Sequence, residues 1–478
     1  MPNSERSKPI CVDLDNTLLR TNTFSEGVLQ LFRTNPLYLF AILFWCLTRG
    51  TSFCRQKVGN LADLSALSLP VNKELMSWLT QRKQEGRTLI LVTSADQKVA
   101  HTVAKQCDLF DAVFAGGGKL NLRGKKKRDF LVEQFGEKGF DYVGHCHEDL
   151  PTWEAADCAV VVSNNLSLQK AAKSCANVTE VFAKPKLSFK VWRKALRVHQ
   201  YAKNVLIFAP WVLGHQYYHL GALFNCLLAF ISFSLLASSV YVLNDLVDLP
   251  DDRQHRSKCY RPFASGSLSI FQGLLLFLAC FVVAWGVACQ LSVHFQMVLA
   301  GYFVLTLLYS LWLKQQLLVD VIVLSTLYTI RLVAGIVVAE ALFSEWLLLL
   351  SLFLFTSLAF LKRYIELYFA RQDNVDSLKG RGYHVSHIST VKMFGIASGY
   401  LSILIFALYL HSAKAIAIYH FPMLLYLICP LLIYWISRMW LIAVDGKMDE
   451  DPVHFAIKDK ATYVVLLISV LIILIASY

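Results

Sequence analysis

Near the middle of the chain stands Asn244-Asp245-Leu246-Val247-Asp248-Leu249-Pro250-Asp251-Asp252. On a helix Asp245, Asp248 and Asp252 fall at i, i+3 and i+7, so all three project from one face. Together with Asn244 they offer the hard oxygen donors that Mg²⁺ takes, and Mg²⁺ in turn takes phosphate oxygens. The plainer alternative is a charged loop that ends an apolar run. Further along, Asp320 and Arg331 are eleven residues apart, within ~20° of one helical face. Arg331 lies deep in an apolar stretch, where an unpaired cation is expensive. It is either ion-paired to one of the acids or an anion clamp beside a metal. Lys314, Lys362, Arg363 and Glu366 add charge nearby. Several cations facing several acids at helix ends suit a Mg–diphosphate site better than a structural salt bridge.

A second constellation opens the chain. VDLDNT places Asp13, Asp15 and Thr17 at the end of a short β-type run. Two carboxylates two residues apart there can act as nucleophile and acid/base around Mg²⁺. Thr93 and Ser94 end another β-type run, and Asp149 follows a later one.

The elements that must position these groups fall into two halves. The 478 residues are 56% hydrophobic and 17% charged, against about 25% charged for soluble domains. This excludes a disordered, collagenous or ordinary cytosolic chain and points to a membrane protein. Residues 1–165 nevertheless read as a soluble α/β unit. Ile10–Leu14, Thr88–Thr93, Ala112–Ala115, Tyr142–Gly144 and Cys158–Ser163 alternate with helical stretches, the pattern of a doubly wound parallel sheet. A cap insertion is expected at about 25–80. Within it Leu37–Leu47 is an apolar run too short to span the bilayer as a helix; it is either a buried cap helix or a segment dipping into the membrane face.

Residues 166–203 form a linker. Its part from 184 to 203 holds seven Lys/Arg and no acid, with Leu187, Val191, Trp192 and Leu196 at helical spacing. That suits either an interfacial helix on anionic lipid or a solvated linker helix. From 204 to 478 the chain is a series of apolar spans, expected at 205–221, 222–243, 269–290, 294–313, 317–339, 344–361, 392–411, 416–438 and 461–477. The connections after the second, fourth, sixth and eighth hold Arg253, Arg256, Lys258, Arg261, Lys314, Lys362, Arg363, Arg371, Lys379, Arg381, Arg438, Lys447, Lys458 and Lys460; the others hold Lys414. This bias places the basic connections and the N-terminal domain in the cytoplasm and the C-terminus outside. The basic surplus, a formal charge of +12, is thereby a membrane-side collar, and no nucleic-acid-binding motif accompanies it. The twelve cysteines show no C-x-x-C pair and no zinc spacing, so reduced thiols are expected. The polar start MPNSERSKPI lacks the apolar core of an export signal.

NDLVDLPDD resembles the NDxxDxxxD metal motif of the UbiA superfamily of intramembrane prenyltransferases, at Asn244, Asp245, Asp248 and Asp252. Arg261–Gly266 (RPFASG) is similar to the family's RP-x-A-x-G segment. Within the family, RVHQYAKNVLIF, YSLWLK at 309–314, DVIVLSTLYTIRLVAG at 320–335 and KRYIEL at 362–367 resemble the decaprenyl-phosphate phosphoribosyltransferase branch. The resemblance implies an all-α nine-helix bundle in the membrane, bacterial-type and cytoplasmic. Mg²⁺ would be held by Asp245, Asp248 and Asp252, with Asp320 also catalytic. Lys203, Asn204, Asn244, Arg261, Lys314, Arg331, Lys362 and Arg363 would grip phosphates. The expected reaction moves 5-phosphoribosyl from phosphoribosyl diphosphate to a polyprenyl phosphate. The alternative moves a prenyl group from a prenyl diphosphate lipid to an aromatic acceptor; a transporter-like protein ranks below both. Two departures matter. Leu324 stands where aromatic prenyltransferases carry a second Asp, and Pro250 interrupts the first motif, so that Asp251 could replace Asp252 as ligand.

Over 1–165 the D-x-D-x-T motif resembles the haloacid dehalogenase (HAD) phosphohydrolases. That implies Asp13 as nucleophile, Asp15 as acid/base, Thr93 on the phosphoryl group, and a metal held by Asp13, Asp15 and Asp149; the family's lysine is one of Lys125, Lys126 and Lys127 in RGKKKR, with Lys127 favoured and Arg123 the alternative for its slot. The family's G-D-x-x-x-D appears as Gly144-His145-Cys146-His147-Glu148-Asp149. His145 thus replaces a metal-binding Asp, which lowers the expected Mg²⁺ affinity and leaves the domain either a phosphatase for the lipid product's 5-phosphate or structural and regulatory.

Overall fold

A computed structural model describes residues 8–477 apart from 65–67, 117–121, 185–186, 215, 217–218, 342–344, 379, 413–414, 416–418 and 449–450. Lys379 and Lys414 lie outside the described residues. The chain divides into two compact units, one of residues 1–197 with 241–278, the other of 198–240 with 279–478.

The first unit is built on six parallel strands: β1 Ile10–Asp13, β2 Leu89–Asp96, β3 Ala112–Gly116, β4 Asp141–Gly144, β5 Cys158–Val162 and β6 Asn177–Phe182. Their order is β3-β2-β1-β4-β5-β6. The order reverses between β1 and β4, and in such sheets the crevice at the carboxyl ends of those strands is where ligands bind. Both faces are covered, so the inner strands are mostly apolar and carry their acids at the ends; Ile10–Asp13 and Asp141–Gly144 are buried at every position. The sheet does not stop at residue 165. Helix Leu166–Cys175 and β6 complete it, and β6 escapes the periodicity argument because its side chains are mostly exposed on an edge strand. An antiparallel bridge from Leu19 to Val71 closes the expected cap insertion, which carries α1 Thr23–Thr34 and α2 Tyr38–Leu61.

This unit also takes in the basic connection after helix Leu220–Val247. Leu29 of α1 packs with Val242, Leu246, Leu249, Phe263 and Ala264. Arg253 donates to both carboxylate oxygens of Glu26 on α1, at 3.0 and 2.6 Å, and both side chains are buried. Gly266, at φ +70°, lies so close to Arg20 that an added Cβ would collide with that residue's own Cβ.

Eight helices among the described residues are long and apolar enough to cross a membrane: Leu220–Val247, Ile270–Ala288, Val293–Leu311, Val319–Ala339, Glu345–Gln372, Val385–Leu410, Pro422–Val444 and Lys460–Ser477. The expected first span, 205–221, is not among them. Val198–Phe208 forms tight 3₁₀ turns and only Ala209–Leu213 is α-helical. Pro210 and Gly214 disfavour a longer helix there. The segment still runs back along helix Leu220–Val247: Arg197 pairs with Asp245, Tyr201 bonds Ser238, Asn204 bonds Ser234, and Phe208 meets Phe230. The sixth expected span also changes. Its helix continues to Gln372, because Arg363 finds acidic partners and its charge need not leave the protein. Lys362 and Arg363 therefore stand on a helix rather than in a connection.

Candidate functional site

Helix Leu220–Val247 ends one residue before Asp248, and a short helix, Leu249–Gln254, restarts with Pro250 in its first turn, where a missing N–H costs nothing. The break sorts the acids. Asp252 turns inward and accepts from Arg261 at 2.6 Å; the same guanidinium nitrogen donates to Asp245 at 3.0 Å. Arg197 donates to Asp245 from the other side. Asp251 turns outward, 74% exposed, onto Arg33. Asp248 and Asn244 are half-buried, and the Asn244 carbonyl accepts the Asp248 N–H. Burial pushes the Asp252 carboxyl above the usual carboxylate range, with Arg261 opposing the shift. Arg197 was not in the sequence-derived set. Its one signal was its place in a basic segment; its left-handed φ of 49° is uncommon for a non-glycine residue.

The second unit holds two further clusters. Asp320, fully buried at the start of helix Val319–Ala339, accepts from Arg363 Nε at 2.5 Å and from the Tyr383 hydroxyl at 2.7 Å. Arg381 lies 3.6 Å from Asp320 and 3.4 Å from Glu366, and Arg363 also holds Glu366. Two acids and two guanidiniums thus neutralise one another, and Tyr309 is within hydrogen-bonding reach of both arginines. Arg381 and Tyr383 come from the connection after helix Glu345–Gln372 and Tyr309 from helix Val293–Leu311, and no local spacing announced them as members of the Asp320 cluster.

Arg331 is not ion-paired to an acid among the described residues. It does not join Asp320. Its Nε donates to Asn204 at 2.7 Å, a terminal nitrogen donates to the Tyr302 hydroxyl at 3.1 Å, and another donates to the Leu327 carbonyl. The guanidinium also lies over the Tyr302 and Tyr328 rings, at 5.0 and 5.7 Å. Among the described residues these partners are all neutral, so the cation is solvated by dipoles and ring faces rather than by a carboxylate. Lys203 donates to Asp451 at 3.0 Å and lies over Tyr328. Asp451 would be raised by burial, but Lys203 and Lys362 bring its carboxyl down to about 2. Lys314 sits half-buried on the turn Leu313–Gln315.

At the crevice of the sheet, Asp13 accepts from Thr17 and from Lys127, each at 3.0 Å, and lies 3.1 Å from His145 Nδ1. Burial alone would raise this carboxyl; the Lys127 ammonium and His145 hold it well below its usual range. Lys127 also donates to the Tyr142 hydroxyl, which donates to Asp149. The other Asp149 oxygen accepts the His145 and Cys146 N–H groups. Asp15 turns away, capping α1 through Thr23 N at 2.7 Å, and burial pushes its carboxyl up to about 6. Thr93 is buried and accepts the Ala95 N–H. A cavity of about 240 Å³ opens on Asp13, Asp15, Lys127 and His145, with Arg55 and Arg123 at its wall. Arg55 comes from α2, far off in sequence, so nothing local pointed to it.

Comparison with known proteins now decides the family. Residues 205–474 match the UbiA prenyltransferase family. The chain belongs to this family. It is also 34% identical to the uncharacterized protein y4nM of Sinorhizobium fredii, over 96% of this chain and 89% of that protein. It is 28% identical to a decaprenyl-phosphate phosphoribosyltransferase of Mycolicibacterium smegmatis, over 57% of this chain and 88% of that one. A UbiA homolog from Archaeoglobus fulgidus, solved bound to DMAPP and Mg²⁺, is 15% identical over 59% of this chain and 98% of that one, with a TM-score of 0.44. With its eight apolar helices, this UbiA-family transferase is a multi-pass integral membrane protein.

Proposed function

We propose that the chain transfers 5-phosphoribosyl from phosphoribosyl diphosphate to a polyprenyl phosphate. The observation that carries this reading is the state of the second motif. Asp320 has Leu324 four positions on, and its carboxylate is already engaged by Arg363 and Tyr383. One acid motif, not two, remains for metal, and the second unit adds Arg331, a buried arginine whose partners among the described residues are neutral. That balance suits a substrate carrying a separate phosphate in addition to its diphosphate. The likeness to a decaprenyl-phosphate phosphoribosyltransferase supports the same choice over prenyl transfer to an aromatic acceptor.

The donor set of Asp245, Asp248 and Asp252 fits Mg²⁺ in kind, since all are carboxylates; Arg197 and Arg261 hold the two most buried of them through partly exposed side chains, and both give way where the ion binds. Bound there, Mg²⁺ supplies charge neutralisation to the departing diphosphate. A lipid phosphate oxygen bonds to C1 of the ribosyl group as the C1–diphosphate bond breaks, its electron pair leaving with the diphosphate. Arg331, Lys203 and Lys362 are assigned to the remaining phosphates, with Arg261 releasing the acids as substrate enters. The basic connections and the α/β domain are placed on the cytoplasmic side of a bacterial-type membrane.

The test gives membranes containing the chain either labelled phosphoribosyl diphosphate with polyprenyl phosphate, or prenyl diphosphate with an aromatic acid. Labelled lipid from the first mixture is expected. Product from the second mixture alone reverses the assignment.

For the α/β domain we propose an HAD-like phosphate pocket that does not run Mg²⁺-dependent hydrolysis. The expected metal ligands do not fit the ion: Asp13 is capped by Lys127 and His145, Asp149 by two backbone N–H groups and Tyr142, and Asp15 is spent on Thr23. The cavity is lined by Lys127, Arg55, Arg123 and His145 together with Asp13, Asp15, Glu148 and Asp149; the cations among these are the groups that would hold a phosphate monoester. The purified chain with Mg²⁺ and a phosphoribosyl lipid should release no inorganic phosphate. Release that disappears in Asp13→Asn would overturn this reading.

A further inference from the structure

The apolar run Leu37–Leu47 is used by neither site. It forms the first half of α2, which turns at Gly50, where φ is +80°. The inner side of this half packs on the domain core through Ile42, with Tyr38, Trp45 and Cys46 against it. The outer side is just as apolar and bare: Leu37, Phe40, Leu43, Phe44 and Leu47 are 57–78% exposed. A helix apolar on both sides belongs in a core or in lipid, and the α/β core supplies cover for one side only. Large apolar side chains grouped this way on a domain surface mark an interaction site.

Three further observations identify what covers it. The half-helix Tyr38–Arg49 is ~18 Å long at 1.5 Å per residue, too short to cross a bilayer but long enough to lie in its surface. Its polar end is basic and aromatic, with Arg49 and Lys57 lying 5.0 and 5.8 Å from the Phe53 ring centre. Finally, α1, three residues upstream, is fixed to the point where the chain leaves the apolar span. Glu26 holds Arg253, and Arg33 holds Asp251, both on the short helix that follows Leu220–Val247. The bare side is therefore tethered at the depth where lipid headgroups begin.

We propose that the outer side of α2 between Leu37 and Leu47 is inserted in the headgroup–acyl boundary of the same membrane, with Arg49 and Lys57 on anionic headgroups. The cap of the α/β domain is thereby a monotopic membrane element. This inference is independent of which group the transferase moves.

The test uses the full chain in vesicles of phosphatidylcholine and phosphatidylglycerol carrying a radiolabelled lipid, with p-benzoylphenylalanine placed singly at Phe40, Leu47, Leu166 or Phe271. Leu166 is 70% exposed on the α/β domain, and Phe271 is 71% exposed in an apolar span. After irradiation, lipid adducts are expected at Phe40, Leu47 and Phe271 and not at Leu166. A covalent dimer from Phe40 or Leu47 would show that a second copy covers the helix. Absence of adducts at both, with Phe271 labelled, would place the helix in water. Equal labelling at Leu166 would show that lipid contact is not confined to α2. Each of these three results overturns the proposal.

Discussion

Asp251 and Asp252 are neighbours with opposite fates, and the difference is one of side-chain direction. The restart of the helix at Leu249 aims Asp252 at Arg261 and Asp245, while Asp251 meets only Arg33 in solvent. Carboxylates that hold a catalytic cation contribute far more than an exposed ion pair, which is worth about 0–1 kcal/mol. Asp245→Asn should therefore lower formation of the labelled lipid product by about 100-fold or more, and Asp251→Asn should change it by less than about 3-fold. Equal losses in the two variants would return Asp251 to the set of acids that hold the ion. Arg331 teaches a related point. Its position deep in an apolar helix was legible from sequence as a cost to be met. Whether an acid met it was not, because Asn204 and Tyr302 lie 127 and 29 residues away.

At the scale of elements, α1 links the two acid motifs of the first unit. Asp15 caps its first residue, and Glu26, one turn on, grips Arg253, which follows Asp252 directly. The N-terminal domain thus braces the short helix that aims the membrane-side acids. Removing one partner of a buried ion pair costs about 3–5 kcal/mol because the other charge is left uncompensated. Glu26→Ala should lower the thermal midpoint of the detergent-purified chain and reduce transferase activity with it. Glu26→Leu combined with Arg253→Met should recover most of the midpoint; failure to recover would mean that the pair does more than satisfy its own charges. The strands of the sheet were readable as apolar runs of four to eight residues, because strands covered on both faces have no other pattern. The edge strand β6 was not readable, since half-exposed NVTEVF has neither the apolar run nor a clean alternation.

For the whole molecule, the alternation of basic and non-basic connections gives a testable sidedness. Cys259 lies in the basic connection and Cys289 in the turn between helices Ile270–Ala288 and Val293–Leu311. In chains reduced to a single cysteine, a membrane-impermeant maleimide should label exposed Cys289 in intact cells and Cys259 only after permeabilisation; the reverse order would invert the topology. Composition, short apolar runs and helical spacing determined by themselves that a parallel α/β domain precedes a helical membrane bundle, and that acids and arginines stand at its helix ends. Those are local quantities, fixed by which side chains water or lipid will accept. Pairing is not local. That Asp320 is neutralised by Arg363 and bonded by Tyr383, that Arg331 rests on neutral partners among the described residues, that residues 198–208 run back along their neighbour as 3₁₀ turns, and that α1 braces the acid motif were decided only in the tertiary structure. In a buried setting the energy of a charge depends on whichever groups packing brings within a few ångströms, however far off they lie in the chain.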